Sequence, residues 1–139
     1  MSELERFSIS IPKGLLVAFD SRNERKGYGN RSEAIRDLVR EALVKEEWTD
    51  PEAHVAATVT LVYDHHTRTL TERITSVQHD YGDLVVSTLH VHLDHHNCLE
   101  VVVLRGEAKN VQALADALTS IRGVKHAQVT RATDGKSIV

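Results

Sequence analysis

Residues Arg6 to Ile11 alternate without interruption, with Arg6, Ser8 and Ser10 polar and Phe7, Ile9 and Ile11 apolar. A period of two belongs to a strand with one buried face. Pro12 then stands where a first helical turn tolerates a missing N–H. Leu15, Leu16 and Phe19 carry helical spacing as far as Gly27, a C-terminal cap. Asn30-Arg31-Ser32-Glu33 fits a capping box, with Asn30 as N-cap and Glu33 three residues on. Beyond it, Ile35, Leu38, Val39, Ala42 and Leu43 form one helical stripe. The predicted unit over residues 1–47 is therefore strand, helix, turn, helix.

Residues 48–53 contain the second proline and lose all periodicity, which sets a linker there. From residue 54 to 130 the pattern changes. Val55 to Tyr63 is β-branched and strand-like, and His66 to Gln78 reads as a helix through Leu70, Ile74 and Val77. Asp83 to Leu93 and Leu99 to Leu104 form a hairpin. Val111, Leu114, Ala115 and Leu118 mark another helix, closed near Gly123, and Val124 to Val129 is a last strand. The order strand-helix-strand-strand-helix-strand is the ferredoxin-like βαββαβ arrangement, so the fold class is α+β. Residues 131–139 read as a loose polar tail.

The hairpin holds the most informative chemistry. His90 and His92 share one strand face, roughly 6.5 Å apart, while Leu89, Val91 and Leu93 take the other. If residues 93–97 form the loop, Cys98 faces His92. Imidazole nitrogen with thiolate sulfur favours late first-row ions such as nickel, copper and zinc over magnesium or calcium. Three ligands leave such a site open, so a fourth must come from elsewhere in the fold or from another chain. His65, His66, His95 and His96 read as solvent-exposed residues, the last two with capacity for a weak second ion.

Composition narrows the partners. The chain of 139 residues is 41% hydrophobic and 27% charged, with no apolar run long enough to span a membrane and one cysteine. A cytoplasmic setting is expected, where a thiolate stays free for metal. A net charge of −3 gives no general affinity for polyanions, so any nucleic-acid contact must be local. Aromatic residues, 4% of the chain, are too sparse for a base-stacking platform.

A local contact is available at the first strand. A lone strand needs a ladder partner, and pairing with a second copy would build an antiparallel ribbon that the major groove admits. Arg6, Ser8 and Ser10 of both copies would then meet base edges. The free amides near Asn30, Arg31 and Ser32 would grip phosphate.

Three features taken together, Arg6-Phe7-Ser8-Ile9-Ser10, the run from Gly27 to Arg36, and His90-Val91-His92 with Cys98-Leu99-Glu100, resemble the nickel-responsive regulators of the NikR family over residues 5 to 127. The first two motifs occur in many ribbon-helix-helix proteins; the third is the specific one. The resemblance implies an N-terminal ribbon-helix-helix domain and an ACT-type metal-binding domain, assembled as a homotetramer, a dimer of dimers, on double-stranded operator DNA. It implies one Ni(II) per subunit, held by His90, His92 and Cys98 of one chain and His79 of a neighbour, and repression of nickel uptake genes. It also implies a second cation site for K+ at Glu33 and Asp37, with Arg68 a candidate phosphate contact. Gln78 and Glu100 are the candidates for orienting the ligands. The alternative is a ribbon-helix-helix regulator sensing copper, zinc or an amino acid through its ACT domain. An enzyme is not expected, because four protein ligands leave no open coordination position and no His-Glu-x-x-His motif is present.

Overall fold

The computed structural model describes residues 3–139. Two helices come first, α1 (Lys13–Lys26) and α2 (Arg31–Glu47). Gly27, at φ 81°, closes α1 in the left-handed region, with its N–H turned back to the carbonyls of Asn23 and Glu24. Asn30 Oδ1 accepts from the Glu33 amide at 2.9 Å, the capping bond expected from sequence. Residues 3–10 are exposed, and among the described residues the expected strand over Arg6–Ile11 does not form, because the single chain supplies it no ladder partner. Their alternation therefore leaves Phe7 and Ile9 uncovered instead of half-buried.

Residues 48–53 lead into β1 (His54–Asp64), α3 (Arg68–Asp80), a short 3-10 turn at Gly82–Leu84, β2 (Val85–His92), β3 (Asn97–Glu107), α4 (Ala108–Thr119) and β4 (His126–Arg131). The four strands form one antiparallel sheet in the order β2-β3-β1-β4. This is the expected βαββαβ fold. Val55, Val59, Leu61 and Tyr63 of β1 and Val102 and Leu104 of β3 meet Ile74 of α3 and Val111, Leu114 and Leu118 of α4 in the core.

Two further expectations are corrected. The second-domain helix begins at Arg68, not His66, because Asp64 Oδ1 takes the His66 amide at 2.9 Å and its carbonyl takes the Thr67 amide, making a turn before the helix starts. Arg68 thus lies in the first turn of α3, paired with Glu72 at 2.9 Å, and His79 lies in the last turn. The expected loose tail is docked: Trp48 Nε1 donates to Ala132 O at 2.9 Å, Ser137 Oγ to Glu47 Oε1 at 2.7 Å, and Arg40 Nε to Val139 O at 2.8 Å.

Among the described residues, no helix is long and apolar enough to cross a membrane.

Candidate metal centre

The β2–β3 hairpin turns on a carboxylate. Asp94 accepts from Asn97 Nδ2 at 3.0 Å on Oδ2 and from the amides of Asn97 and His96, both at 2.8 Å, on Oδ1, and these bonds, the Asn97 side chain's first, hold its carboxyl well below the usual carboxylate range. Leu93 N donates to Asn97 O at 2.9 Å and closes the loop. The resulting register sets His92 opposite Cys98 and His90 opposite Glu100, while β1 places Tyr63 opposite Cys98. Directly opposed residues of antiparallel strands share a face. His90, His92, Cys98, Glu100 and Tyr63 therefore lie together on the helix-covered side, at the end where β2 forms the sheet edge.

Burial grades across this row. Cys98 is fully buried, with its Sγ 3.5 Å from Tyr63 O, and burial pushes the thiol up from its ordinary range. The imidazole of His90 keeps 37% of its side-chain exposure. Glu100 is 6% exposed in a row of otherwise apolar β3 positions. Its carboxylate is well supplied: Tyr63 OH donates at 3.3 Å, Gln78 Nε2 at 3.0 Å, and His90 Nδ1 lies 3.4 Å away. Gln78 Oε1 in turn accepts from Thr88 Oγ1 at 2.9 Å. The carboxylate thus joins α3, β1 and β2 around one imidazole. Burial, with the Glu100 charge adding to it, drives the Tyr63 phenol far above its ordinary range, so it remains a donor.

The His90 and His92 rings have centroids 5.5 Å apart. His92 is stacked on His65 at 4.4 Å, nearly parallel. His65, expected to be exposed, is instead half-buried beneath His92, with Nδ1 enclosed and unpartnered, and burial followed by its imidazole neighbours lowers its pKa. His66, His95 and His96 are exposed, as expected, and their rings lie 4.9 to 5.4 Å from one another. Among the described residues, no three His, Cys, Asp or Glu side chains converge closely enough to hold an ion. Two imidazoles and one thiol on one face are nevertheless a donor set that fits a late first-row metal. Its exposed edge leaves room for a fourth ligand from outside. His79 does not meet the others within the chain: it is exposed and lines surface clefts with Thr75 and Ser76 and with Asp80 to Leu84.

At the other domain, Arg6, Ser8, Ser10 and Ser32 are exposed. Arg31 is not free. Its Nε and NH2 hold the two oxygens of Asp20 at 2.9 and 2.8 Å, tying α1 to the start of α2. Asp37 is also engaged, accepting from Tyr28 OH at 2.7 Å and Arg40 NH1 at 2.9 Å. Glu33 and Asp37 line one cleft with Tyr28, Arg36 and Arg40.

Sequence reasoning did not single out Tyr63, Thr88 or Asp20. Tyr63 sits in a β-branched run with the pattern of ordinary core, and only strand register reveals its place beside Cys98. Asp20 of α1 meets Arg31 of α2 across the turn between the two helices, eleven residues away, which no local period reports.

Comparison with known proteins identifies both domains. Residues 56–132 match the family described as NikR C terminal nickel binding domain, and residues 5–46 the family described as ribbon-helix-helix protein, copG family. Relatives named "Putative nickel-responsive regulator" include those of Desulfovibrio desulfuricans, 56% identical over 99% of both chains, and Solibacter usitatus, 53% identical over 97% of both. That of Pyrococcus horikoshii is 49% identical over 99% of both. A solved structure of an uncharacterized protein from Thermotoga maritima, 14% identical, superposes with a TM-score of 0.50 over 56% of this chain and 96% of its own, a likeness of fold alone. A histidine-and-thiol sheet edge inside a matched nickel-binding domain, behind a matched ribbon-helix-helix unit, places this chain in the NikR family of nickel-responsive regulators.

Proposed function

We propose that this chain is a nickel-dependent repressor of nickel uptake genes, acting in the cytoplasm, in which Ni(II) at a three-His, one-Cys site promotes operator binding. His90, His92 and Cys98 supply three ligands and His79 of a second copy the fourth, one ion per subunit. The observation that carries this reading is the strand register, which sets His92 against Cys98 and His90 one pair further along the same face. When bound, the ion supplies a fixed charge and a directional bridge between chains. Glu100 receives His90 through Nδ1, leaving Nε2 for the metal, and Gln78 fixes that carboxylate from the helix that carries His79.

Assembly follows from uncovered apolar surface. Phe7 and Ile9 need a second copy's ribbon, which would present Arg6, Ser8 and Ser10 to base edges. The sheet face away from the helices exposes Leu89 by 60% and Val91 by 40%, which suits pairing of two metal-binding domains. Two ribbon dimers joined through these domains make a homotetramer. On DNA, the amides at Asn30, Arg31 and Ser32 would face phosphate, with Arg68 as a further contact. Glu33 and Asp37 would take K+ once Asp37 exchanges its present partners.

The test is DNA titration with and without nickel, using a duplex selected from random-sequence DNA. Wild type should gain affinity with nickel, and Cys98→Ala should show no gain while keeping its weak nonspecific binding. An equal response to zinc, copper or an amino acid without nickel would overturn the assignment of the metal.

A further inference from the structure

Residues 132–139 leave β4 and return along the last turns of α2. Ala132 N donates to Ala56 O at 2.8 Å, which anchors the segment's start to β1. From there it meets α2 at three places: the Trp48 indole on Ala132 O, the Ser137 hydroxyl on Glu47, and the Arg40 guanidinium on Val139 O. Arg131, at the end of β4, lays its guanidinium over the Trp48 ring at 5.1 Å from the centroid. Ile138 shares a cleft with Leu43 and Ala53. Arg40 to Trp48 spans about 12 Å of helix axis. Among the described residues, the side-chain hydrogen bonds between residues 31–48 and the sheet domain all end on this segment.

The segment's shape is set by one residue. Gly135 has φ +80°, its N–H bonds Thr133 Oγ1 at 3.1 Å, and the next amide, of Lys136, bonds Asp134 Oδ1 at 3.0 Å. No atom lies within 4 Å of where a Cβ would stand there, so backbone conformation alone makes glycine the fitting residue.

We infer that residues 132–139 form a strap that couples the metal-binding sheet to the second helix of the DNA-binding unit, and that nickel occupancy reaches the DNA-reading end through it. The inference rests on the function proposed above. Coupling between two sites needs contacts whose energy differs between two arrangements. Beside the covalent connection at residues 48–53 and the seating of Trp48 against the core beneath Arg131, the strap supplies such contacts. Releasing it leaves the sheet to bias α2 only through Trp48, held against the core beneath Arg131, and the gain from nickel shrinks.

Trp48 is the chain's one tryptophan, so its fluorescence reports strap docking directly. In the full-length protein, Gly135→Val introduces a β-branched side chain at a left-handed position that is itself none of the proposed ligands or DNA contacts. It should shift the docked population about fivefold or more. The expected results are a red-shifted Trp48 emission, a nickel-induced gain in DNA affinity reduced about fivefold, and unchanged nickel affinity of the free protein. Gly135→Asn, which tolerates that backbone region, should restore both emission and gain. A wild type without any nickel-dependent gain would refute the proposed function itself. A wild type that responds, with Gly135→Val responding equally despite shifted emission, overturns the strap alone. Unshifted emission in Gly135→Val also overturns it, because the strap is then not seated on Trp48 in solution.

Discussion

Cys98 is fully buried and opposite both His92 and Tyr63, so its substitution separates ligation from packing. A ligand at a hundredfold excess over its Kd stabilises the folded state by about 2.7 kcal/mol. With an unfolding entropy of about 2.1 cal/mol/K per residue, a chain of 139 residues changes by about 0.29 kcal/mol per degree, so nickel should raise Tm by about 9 °C. Cys98→Ala deletes one buried sulfur and leaves a small void, costing about 1–2 kcal/mol, or about 3–7 °C, without metal. Cys98→Ser keeps the volume and leaves the Tyr63 carbonyl as acceptor for its hydroxyl, so it should cost less. Both variants should lose the nickel shift. Thermal unfolding followed by circular dichroism, with and without nickel, measures both quantities. Retention of more than half the 9 °C shift by either variant would refute the assignment of Cys98 as a ligand. A metal-free loss far above 7 °C in Cys98→Ala would show that the thiol is mainly structural.

Three further outcomes follow. Arg6→Ala should keep its nickel affinity and lose roughly 1–3 kcal/mol of sequence discrimination per base contact, read as the ratio of selected to random duplex affinity. Because burial raises the Cys98 thiol, it is protonated at neutral pH, and nickel bound there as proposed would displace that proton; apparent nickel affinity should therefore rise about tenfold per pH unit up to the raised thiol pKa. Calorimetry in buffers of different ionisation enthalpy counts the proton, and a flat profile from pH 6.5 to 8.5 would contradict it. Finally, mixing His79→Ala with Cys98→Ala and refolding them together should restore about a quarter of the sites if the ligands belong to different chains, and none if they belong to one.

Periodicity made most of the second domain legible, because each strand and helix buries a face whose spacing is written locally. The Leu70, Ile74 and Val77 spacing located α3, and the alternation through His90 and His92 located β2. Its limits were equally physical. The start of α3 depends on Asp64 capturing two amides, a bond that outweighs a helical pattern which could have begun at His66. The tail contains too few apolar residues to announce a packed segment, yet hydrogen bonds to Trp48, Glu47 and Arg40 seat it. Those partners are more than 80 residues away in sequence. At the site, the hairpin offset followed from counting loop residues, whereas the stacking of His65 on His92 depends on two strand ends meeting in space.

Glu100 carries the last step. Its neighbours on the same face of β3, Cys98, Val102 and Leu104, are fully buried, and a leucine at position 100 would continue that core without desolvating a charge. A buried carboxylate costs several kcal/mol unless its oxygens are satisfied, and even a satisfied one is seldom better than good apolar packing. Fold stability therefore gives no reason for an acid there. The hydrogen bonds do: Tyr63 and Gln78 use the two oxygens, and His90 Nδ1 stands beside them. Under the proposed function a hundredfold rise in DNA affinity needs about 2.7 kcal/mol of coupling, the scale of one or two charge-assisted hydrogen bonds gained or strengthened. A carboxylate gripping a ligand imidazole on one side and the helix bearing His79 on the other can supply that amount without any large movement of the core.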